Sequence, residues 1–178
     1  EAERLPRGVR RERHLKLGKG GLSDVEWTVQ LMQLQHAGDI KDLRVNGTLE
    51  ALDVLEAKKL ISAIDAIQLR KAWTLCTAAR NGSYLWSGRA NQADILPDDI
   101  YSLGGIAHLG YGAHRGQHFE NDLLAVMRKC RDVCQRLFYG KTEGEAAAAT
   151  TATASAATQQ PQNRPSPAYA RDRTATGT

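Results

Sequence analysis

The chain has 178 residues, of which 42% are hydrophobic and 25% charged, with a formal net charge of +4. Residues 1–20 hold seven basic and three acidic side chains, whereas residues 21–140 hold thirteen basic and fourteen acidic ones. Because the body is nearly neutral and lacks a basic stripe, we expect no nucleic-acid partner. No apolar run approaches a membrane span and no signal-peptide pattern opens the chain, so we expect a cytoplasmic protein without a membrane partner.

The composition divides the chain into three regions. Residues 1–21 form a basic approach segment followed by a loop rich in lysine and glycine, and residues 22–140 carry the apolar periodicity of helices. Residues 141–178 are rich in Ala, Thr, Ser and Pro, with almost no large apolar side chains to offset the entropy of ordering them. We therefore expect a helical domain with a disordered tail. Because the chain begins at Glu1 and not at Met, we also expect a piece of a longer protein.

The junction between the loop and the first helix is the strongest local signal. Ser23 and Glu26 have the S-x-x-E spacing of a capping box, which is the simpler interpretation. A second, compatible interpretation is an anion site, because glycines let backbone N–H groups converge and a helix start adds partial positive charge. Neither a P-loop nor a dinucleotide-binding pattern is present. The candidate residues near a phosphate, among which Asp24 or Glu26 would hold a base or a cation, are Lys16, Lys19, Gly20, Gly21, Asp24 and Glu26.

The apolar spacing predicts the helices in chain order. The first begins at Ser23 and stops near Gly38, and the second is capped by Thr48. The first helix has two apolar stripes, so we expect it to be packed on two sides. One stripe comprises Leu22, Val25, Val29 and Met32, and the other comprises Trp27, Leu31 and Leu34. The inward positions of the second helix are Leu49, Leu52 and Leu55, with Leu60 as a further candidate.

Three further helical segments follow. One runs from about Ser62 to Leu85, with apolar spacing supplied by Ile64, Ile67, Leu69, Trp73, Leu75 and Cys76. A short helix over residues 98–109 is weakened by two adjacent glycines, and residues 110–118 are too rich in glycine for regular structure. The last helix starts near Asn121 and ends before Gly140. The predicted fold is all-α: a small antiparallel bundle of four to five helices with a disordered C-terminal tail.

The cysteines and histidines offer a second possible site. Cys130 and Cys134 lie four residues apart, and His108, His114 and His118 precede them, which together could supply zinc ligands. The spacing matches no recognised zinc pattern, and buried free thiols are common. We therefore assign no metal site, and we expect reduced cysteines, including Cys76.

A longer stretch carries a family resemblance. The segment H-L-K-L-G-K-G-G-L-S-D-V-E-W-T-V-Q-L-M-Q-L-Q-H, residues 14–36, resembles the one that follows the nucleotidyltransferase core in glutamine synthetase adenylyltransferases. The pattern of that family is K-x-G-x-G-G-[LI]-x-[DE]-[VI]-E-[FW]-x-x-Q. Similarity extends over about residues 1–140 and weakens after Leu85. The related uridylyltransferases of the PII signal protein typically have Gln where this chain has Glu26, which favours the adenylyltransferase.

The resemblance implies the helical part of an enzyme that transfers AMP from ATP to a tyrosine of glutamine synthetase with Mg²⁺, and in a paired domain removes it. It implies glutamine synthetase as a partner, and the PII signal protein as a further one. The G-S-x-x-D-x-D segment that holds metal in that family is absent from this sequence. We therefore expect no catalytic residue here, an inactive isolated chain and a missing nucleotidyltransferase core. The alternative is a non-catalytic helical module that docks a partner.

Overall fold

The computed structural model of the chain describes residues 10–111 and 116–140. Within these ranges the chain forms five α-helices, three short 3-10 turns and one isolated antiparallel bridge, between His14 and Ile95. This confirms the predicted all-α class. The tail expected at residues 141–178 lies outside the described residues. The helices are α1 (Leu22–His36), α2 (Thr48–Ala57), α3 (Ala63–Ser87), α4 (Ile100–Tyr111) and α5 (Gly116–Tyr139).

Helix α3 is the centre of the bundle, because it packs against each of the other four helices. It begins where Ser62 caps it, with the serine side chain accepting a hydrogen bond from Asp65 N–H. Its two halves belong to two separate hydrophobic clusters. The first cluster joins the N-terminal half of α3 to α1, α2 and the C-terminal half of α5. The second joins the C-terminal half of α3 to α4, the start of α5 and the segments around Leu15 and Leu96.

The described helices do not meet the requirements of a membrane span. Among the helices of residues 10–111 and 116–140, none combines the length and the apolar character that crossing a bilayer requires.

The predicted packing of α1 on two sides is wrong. Val25, Val29 and Met32 are buried as expected, but Leu34 is 85% exposed and Trp27 is 37% exposed. The inward face of α1 is completed by polar residues, since Asp24 and Thr28 are buried. A helix at the edge of a bundle buries one stripe, and here polar side chains with internal hydrogen-bond partners occupy part of it.

The predicted starts of two helices also change. Helix α1 begins at Leu22 with Gly21 as its N-cap, so Ser23 lies inside the helix and is not its cap. Helix α2 is preceded by Gly47, and its first residue is Thr48. Helix α2 ends at Ala57, so Leu60 lies beyond it, although Leu60 still packs against the first cluster.

Two positions of α3 that were predicted to face the core are exposed. Ile64 is 73% exposed and Ile67 is 54% exposed.

The described part of the glycine-rich stretch before α5 is more regular than predicted. Helix α4 continues through its glycines to Tyr111, and α5 begins at Gly116, five residues before Asn121. A Cβ at Gly110 would lie 2.9 Å from the carbonyl oxygen of Ala78, and one at Gly116 would lie 2.6 Å from the backbone nitrogen of Gly104. These glycines permit close contacts between helices, which a reading of glycine as a helix breaker does not anticipate.

Candidate functional site

The loop before α1 is built into the body of the protein by its backbone. Leu15 is fully buried; its N–H donates to Asp94 O at 2.8 Å, and its carbonyl accepts from Leu22 N–H at 2.9 Å. His14 is 4% exposed, and its Nδ1 accepts a hydrogen bond from Leu17 N–H at 3.1 Å. Burial lowers the pKa of His14, more than the nearby charge of Asp94 raises it. The neutral imidazole is therefore part of the loop's structure.

Gly20 brings this loop against α5. Its φ of +74° lies in the left-handed region, and a Cβ there would lie 1.8 Å from the carbonyl oxygen of Met127. Both constraints select glycine at this position. The close approach positions the loop along one face of α5.

Asp24 connects the loop, α1 and α5. Its carboxylate accepts a hydrogen bond from Gly20 N–H at 2.6 Å and from Arg131 Nη1 at 3.0 Å, and its side chain is 7% exposed. Its carbonyl oxygen accepts from the Thr28 hydroxyl at 2.7 Å. Asp24 is the third residue of α1, so its carboxylate satisfies a backbone donor just before the helix start. The sequence analysis assigned this type of contact to Ser23 and Glu26.

A second tether holds the approach segment. The guanidinium of Arg13 is buried, donates to Leu96 O at 3.1 Å and to Pro97 O, and pairs with Glu120 on α5. Arg80 on α3 pairs with Asp94 in the same neighbouring segment. Charge-assisted contacts to carbonyl groups and carboxylates thus fix the path of residues 10–17.

A groove of about 420 Å³ lies between this loop and α5. Lys19 and Glu12 line its loop side, and Arg128 and Arg131 contribute basic side chains from α5. The other lining residues are Leu124, Met127, Asp132 and Gln135. The groove therefore combines an apolar floor with mixed charge, and three of its side chains are cationic. Such a surface can hold an anionic group that also presents an apolar portion.

The groove unites some of the candidate residues and leaves others apart. Lys19 is exposed and lines the groove, and Asp24 borders it through Arg131. Lys16 is exposed and Glu26 is half-buried, but neither lines the groove. The N–H of Gly20 donates to Asp24, and that of Gly21 donates to Gly18 O at 3.0 Å. These backbone donors are used inside the fold, so an anion site here would depend on side chains.

The sequence did not identify Arg128 and Arg131 as candidate site residues. The available signal was their spacing: polar side chains recur at positions 128, 131, 132 and 135, which is one helical face next to the apolar stripe of α5. The spacing identifies a solvent-facing strip. It does not show that the loop around Gly20 would close against that strip, because this contact joins residues 107 positions apart.

The described residues do not fit a magnesium site. Within residues 10–111 and 116–140, no group of three or more His, Cys, Asp or Glu side chains is arranged to hold a metal ion. The carboxylate of Asp24, which the sequence suggested as a cation ligand, already accepts hydrogen bonds from Gly20 N–H and Arg131. Magnesium prefers several carboxylate or phosphate oxygens around one position. No catalytic step through a metal ion is assigned to this chain.

The cysteine pair behaves as part of the core. Cys130 and Cys134 are buried with their Sγ atoms 3.9 Å apart, and the Cys134 thiol lies 3.5 Å from Asp24 O. Burial also raises the pKa of the Cys76 thiol to about 12, which keeps it protonated at neutral pH. His118 is exposed on the first turns of α5, and His114 lies outside the described residues.

Comparison with known proteins agrees with the resemblance in the loop. A family model described as GlnD PII-uridylyltransferase matches residues 2–138. A protein of Bifidobacterium longum (strain DJO10A), named bifunctional glutamine synthetase adenylyltransferase/adenylyl-removing enzyme, is 99% identical over 148 residues, which is 83% of this chain and 14% of that protein. Proteins with the same name from Leifsonia xyli subsp. xyli and Mycobacterium leprae are 46% identical over 147 residues and 42% identical over 139 residues.

These two relatives are matched over 82% and 78% of this chain, and again over 14% of their own length. The chain thus spans about 14% of the length of the curated relatives it matches. These relatives carry the name of the adenylyltransferase, which is the family member that Glu26 favoured over the uridylyltransferase. Since the family model covers well over half of the residues, the chain belongs to the GlnD PII-uridylyltransferase family.

Proposed function

We propose that this chain is the helical domain of a bifunctional enzyme that transfers AMP from ATP to a tyrosine of glutamine synthetase and removes it again. The observation that carries the proposal is the identity of 99% over 148 residues with a protein of that printed name. Glutamine synthetase is then the protein substrate, with the PII signal protein as a further partner. A reaction that consumes ATP and regulates nitrogen assimilation belongs in the cytoplasm.

The residues present indicate which parts of the reaction this domain does not carry out. Nucleotidyl transfer needs carboxylates that hold metal ions against the phosphates. The described residues of this chain do not supply such a group. In this proposal Mg²⁺ and the catalytic carboxylates belong to a nucleotidyltransferase core in the longer protein, and this domain forms one wall of the site.

The groove beside α5 is the proposed contact with the nucleotide. Lys19 is an exposed cation on its loop side, and Arg128 lines the same groove from α5. Lys16 is a further proposed phosphate contact at the edge of the loop. Gly20 and Asp24 serve this site indirectly, because they fix the loop against Met127 and Arg131. Gly21, the N-cap of α1, and Glu26 complete the proposed set of residues near the nucleotide.

The alternative is a non-catalytic docking module. It is favoured by the exposed aromatic residues at the end of α5, since Phe138 is 37% exposed and Tyr139 is 55% exposed. Such side chains often take part in protein interfaces. In this alternative the chain would bind glutamine synthetase without affecting the use of ATP.

The two functions are separated by AMP transfer from α-labelled ATP to glutamine synthetase in the presence of Mg²⁺. We expect no transfer by the isolated 178-residue chain. We expect transfer by a longer protein in which a G-S-x-x-D-x-D core precedes this segment. Transfer by the isolated chain would contradict the proposed division of labour. If the longer protein also fails to transfer AMP but binds glutamine synthetase, the docking module is the correct function.

A further inference from the structure

A second cavity adjoins the second hydrophobic cluster at Ile106. It has a volume of about 200 Å³ and is lined by the C-terminal end of α3, the segment after it and the first turns of α4. The share of one water in the liquid is about 30 Å³, and pockets for drug-sized ligands begin near about 300 Å³. The cavity therefore has room for a small organic group. It shares no lining residue with the groove beside α5.

A buried hydroxyl in the wall of this cavity lacks a partner. Ser83 is 4% exposed, and its Oγ makes no hydrogen bond within the part of the chain that the structure describes. The neighbouring Ser87 differs, because its hydroxyl donates to Ser83 O at 2.7 Å. Leaving a buried hydroxyl without a partner costs free energy, and most such groups in folded proteins are paired. Ser83 therefore has hydrogen-bonding capacity that the described residues leave unused, in a residue that lines the cavity.

An aromatic ring is held rigidly at the same cavity. Trp86 packs so closely over Gly105 that a Cβ there would lie 2.3 Å from ring atom Cε3. Tyr101 contacts the ring edge-to-face, with the ring centroids 5.2 Å apart. The indole is nevertheless 38% exposed, and it lines the cavity. A fixed aromatic surface of this kind attracts flat or cationic groups.

The charge at the cavity is negative. Asp99 is the one carboxylate among its described lining residues, and no basic side chain is among them. Its Oδ1 accepts from Ser102 N–H at 2.7 Å at the start of α4. The hydrogen bonds from the backbone and side chain of Ser102 lower the pKa of Asp99, so the carboxylate is ionised at neutral pH.

From these three features we propose that the cavity binds a small organic cation, an alkylammonium or guanidinium group. The cation packs against Trp86, lies near the carboxylate of Asp99 and donates a hydrogen bond to Ser83 Oγ. Ammonium and guanidinium groups have only donors, which suits a hydroxyl and a carboxylate as acceptors. The group could come from a free amine or from a Lys or Arg side chain of a partner. The proposal is independent of the function proposed for the groove.

The test is an NMR titration of the ¹⁵N-labelled chain with n-butylammonium and with methylguanidinium, with n-butanol as the uncharged control. We expect saturable shifts of the Trp86 indole and the Ser83 amide with the cations only. Asp99→Asn retains a capping oxygen for α4 but removes the charge, and we expect it to weaken binding at least about threefold. Equal shifts with n-butanol, or unchanged binding by Asp99→Asn, would overturn the proposal.

The source of the cation is distinguished by repeating the titration with glycine-flanked peptides that contain one Lys or one Arg. Tighter binding of a peptide than of the free amine assigns the cavity to a partner side chain, and tighter binding of the free amine assigns it to a small molecule. Absence of saturable shifts with every cationic probe would overturn the proposal.

A stability measurement tests the unpaired hydroxyl independently. We expect Ser83→Ala to weaken cation binding and to raise the melting temperature, because it removes a buried group without a partner. The matched control, Ser87→Ala, removes a hydroxyl that is already paired, and we expect its melting temperature to fall. A lower melting temperature for Ser83→Ala would show that its hydroxyl is satisfied within the fold, which would contradict the proposal.

Discussion

The two ends of α3 are stabilised in different ways. At its N-terminal end, aliphatic side chains from α1, α2, α5 and the 3-10 turn between α1 and α2 fill the first cluster, with Leu43, Leu52 and Leu55 almost completely buried. At its C-terminal end, backbones approach closely at glycines such as Gly110, and the buried guanidinium of Arg13 pairs with Glu120 near the start of α5.

This difference separates an end of the bundle that serves mainly as a scaffold from an end that carries the Ser83 cavity and borders the groove. Close-packed aliphatic clusters leave little space for ligands. The Ser83 cavity lies at the C-terminal end, and the groove borders that end through Leu124 and Met127 and continues along the C-terminal half of α5. We therefore expect substitutions to affect the two ends through different mechanisms.

The largest effect is expected for Gly20→Ala. The substitution combines an unfavourable positive φ with a Cβ placed against Met127 O, and we expect a loss of more than about 4 kcal/mol in the free energy of unfolding. Chemical denaturation of the isolated chain measures it.

Two glycines serve as matched controls for this prediction. Gly88 also has a positive φ but open space around its Cβ position, so Gly88→Ala is expected to cost about 1 kcal/mol. Gly38 has neither constraint, and Gly38→Ala is expected to be nearly neutral. Equal losses for Gly20→Ala and Gly88→Ala would show that backbone conformation alone matters and that the loop does not need to lie against α5.

The aliphatic end is tested by Leu52→Ala. Leu52 is fully buried in the first cluster, so removing its side chain leaves a cavity and is expected to cost about 3 kcal/mol. Leu34→Ala, at a side chain that is 85% exposed, is the control and is expected to change stability little. The same denaturation experiment measures both. A loss at Leu34 comparable to that at Leu52 would restore the two-sided packing of α1 that the sequence suggested.

A smaller effect is expected at Asp24. Asp24→Ala removes the acceptor of Gly20 N–H and leaves Arg131 without its carboxylate, at an expected cost of about 2 kcal/mol. Asp24→Asn keeps an oxygen that can accept from Gly20 N–H, so its cost is expected to be about half as large. Thermal unfolding of both variants gives the comparison. If Asp24→Asn costs as much as Asp24→Ala, the charge pair with Arg131 dominates the contact with Gly20.

The smallest effect is a dependence on pH. Burial lowers the pKa of His14 in the folded chain below its ordinary value of 6.5, so the folded state favours the neutral ring. Stability from this residue is complete above pH 6.5 and falls as the pH drops from there through the lowered pKa. His14→Gln should flatten this part of the stability profile, whereas His36→Gln should retain it. Identical profiles for His14→Gln and the unmodified chain would contradict the structural role of the neutral imidazole.

The sequence predicted the buried aliphatic stripes better than the contacts between polar residues that are distant in the chain, for a physical reason. Local periodicity identifies a buried stripe, so Val25, Leu52 and Leu69 were correctly assigned to the core. The pairing of Asp24 with Arg131 depends on how the chain folds back, and local spacing does not encode it. Gly110 and Gly116 were wrongly predicted to interrupt regular structure, because they permit close contacts with other helices that local spacing does not reveal.

The same limit applies to the candidate site. The stretch from Lys16 to Glu26 was recognisable because its pattern is contiguous, and Lys19 was named from it. The groove could not be predicted in this way, because Arg128 and Arg131 on its α5 side are far from Lys19 in the sequence. The anion site inferred from converging glycine N–H groups changes in character, because Asp24 already accepts the N–H of Gly20.

The proposed contact between Lys19 and the nucleotide in the longer enzyme is tested by the KM for ATP in the adenylylation of glutamine synthetase. Because a charged hydrogen bond to phosphate would be lost, Lys19→Ala is expected to raise this KM at least about tenfold. Its melting temperature should not change, since Lys19 is exposed. Lys71→Ala, at an exposed lysine of α3, should change neither quantity. An unchanged KM for ATP in Lys19→Ala would contradict the account.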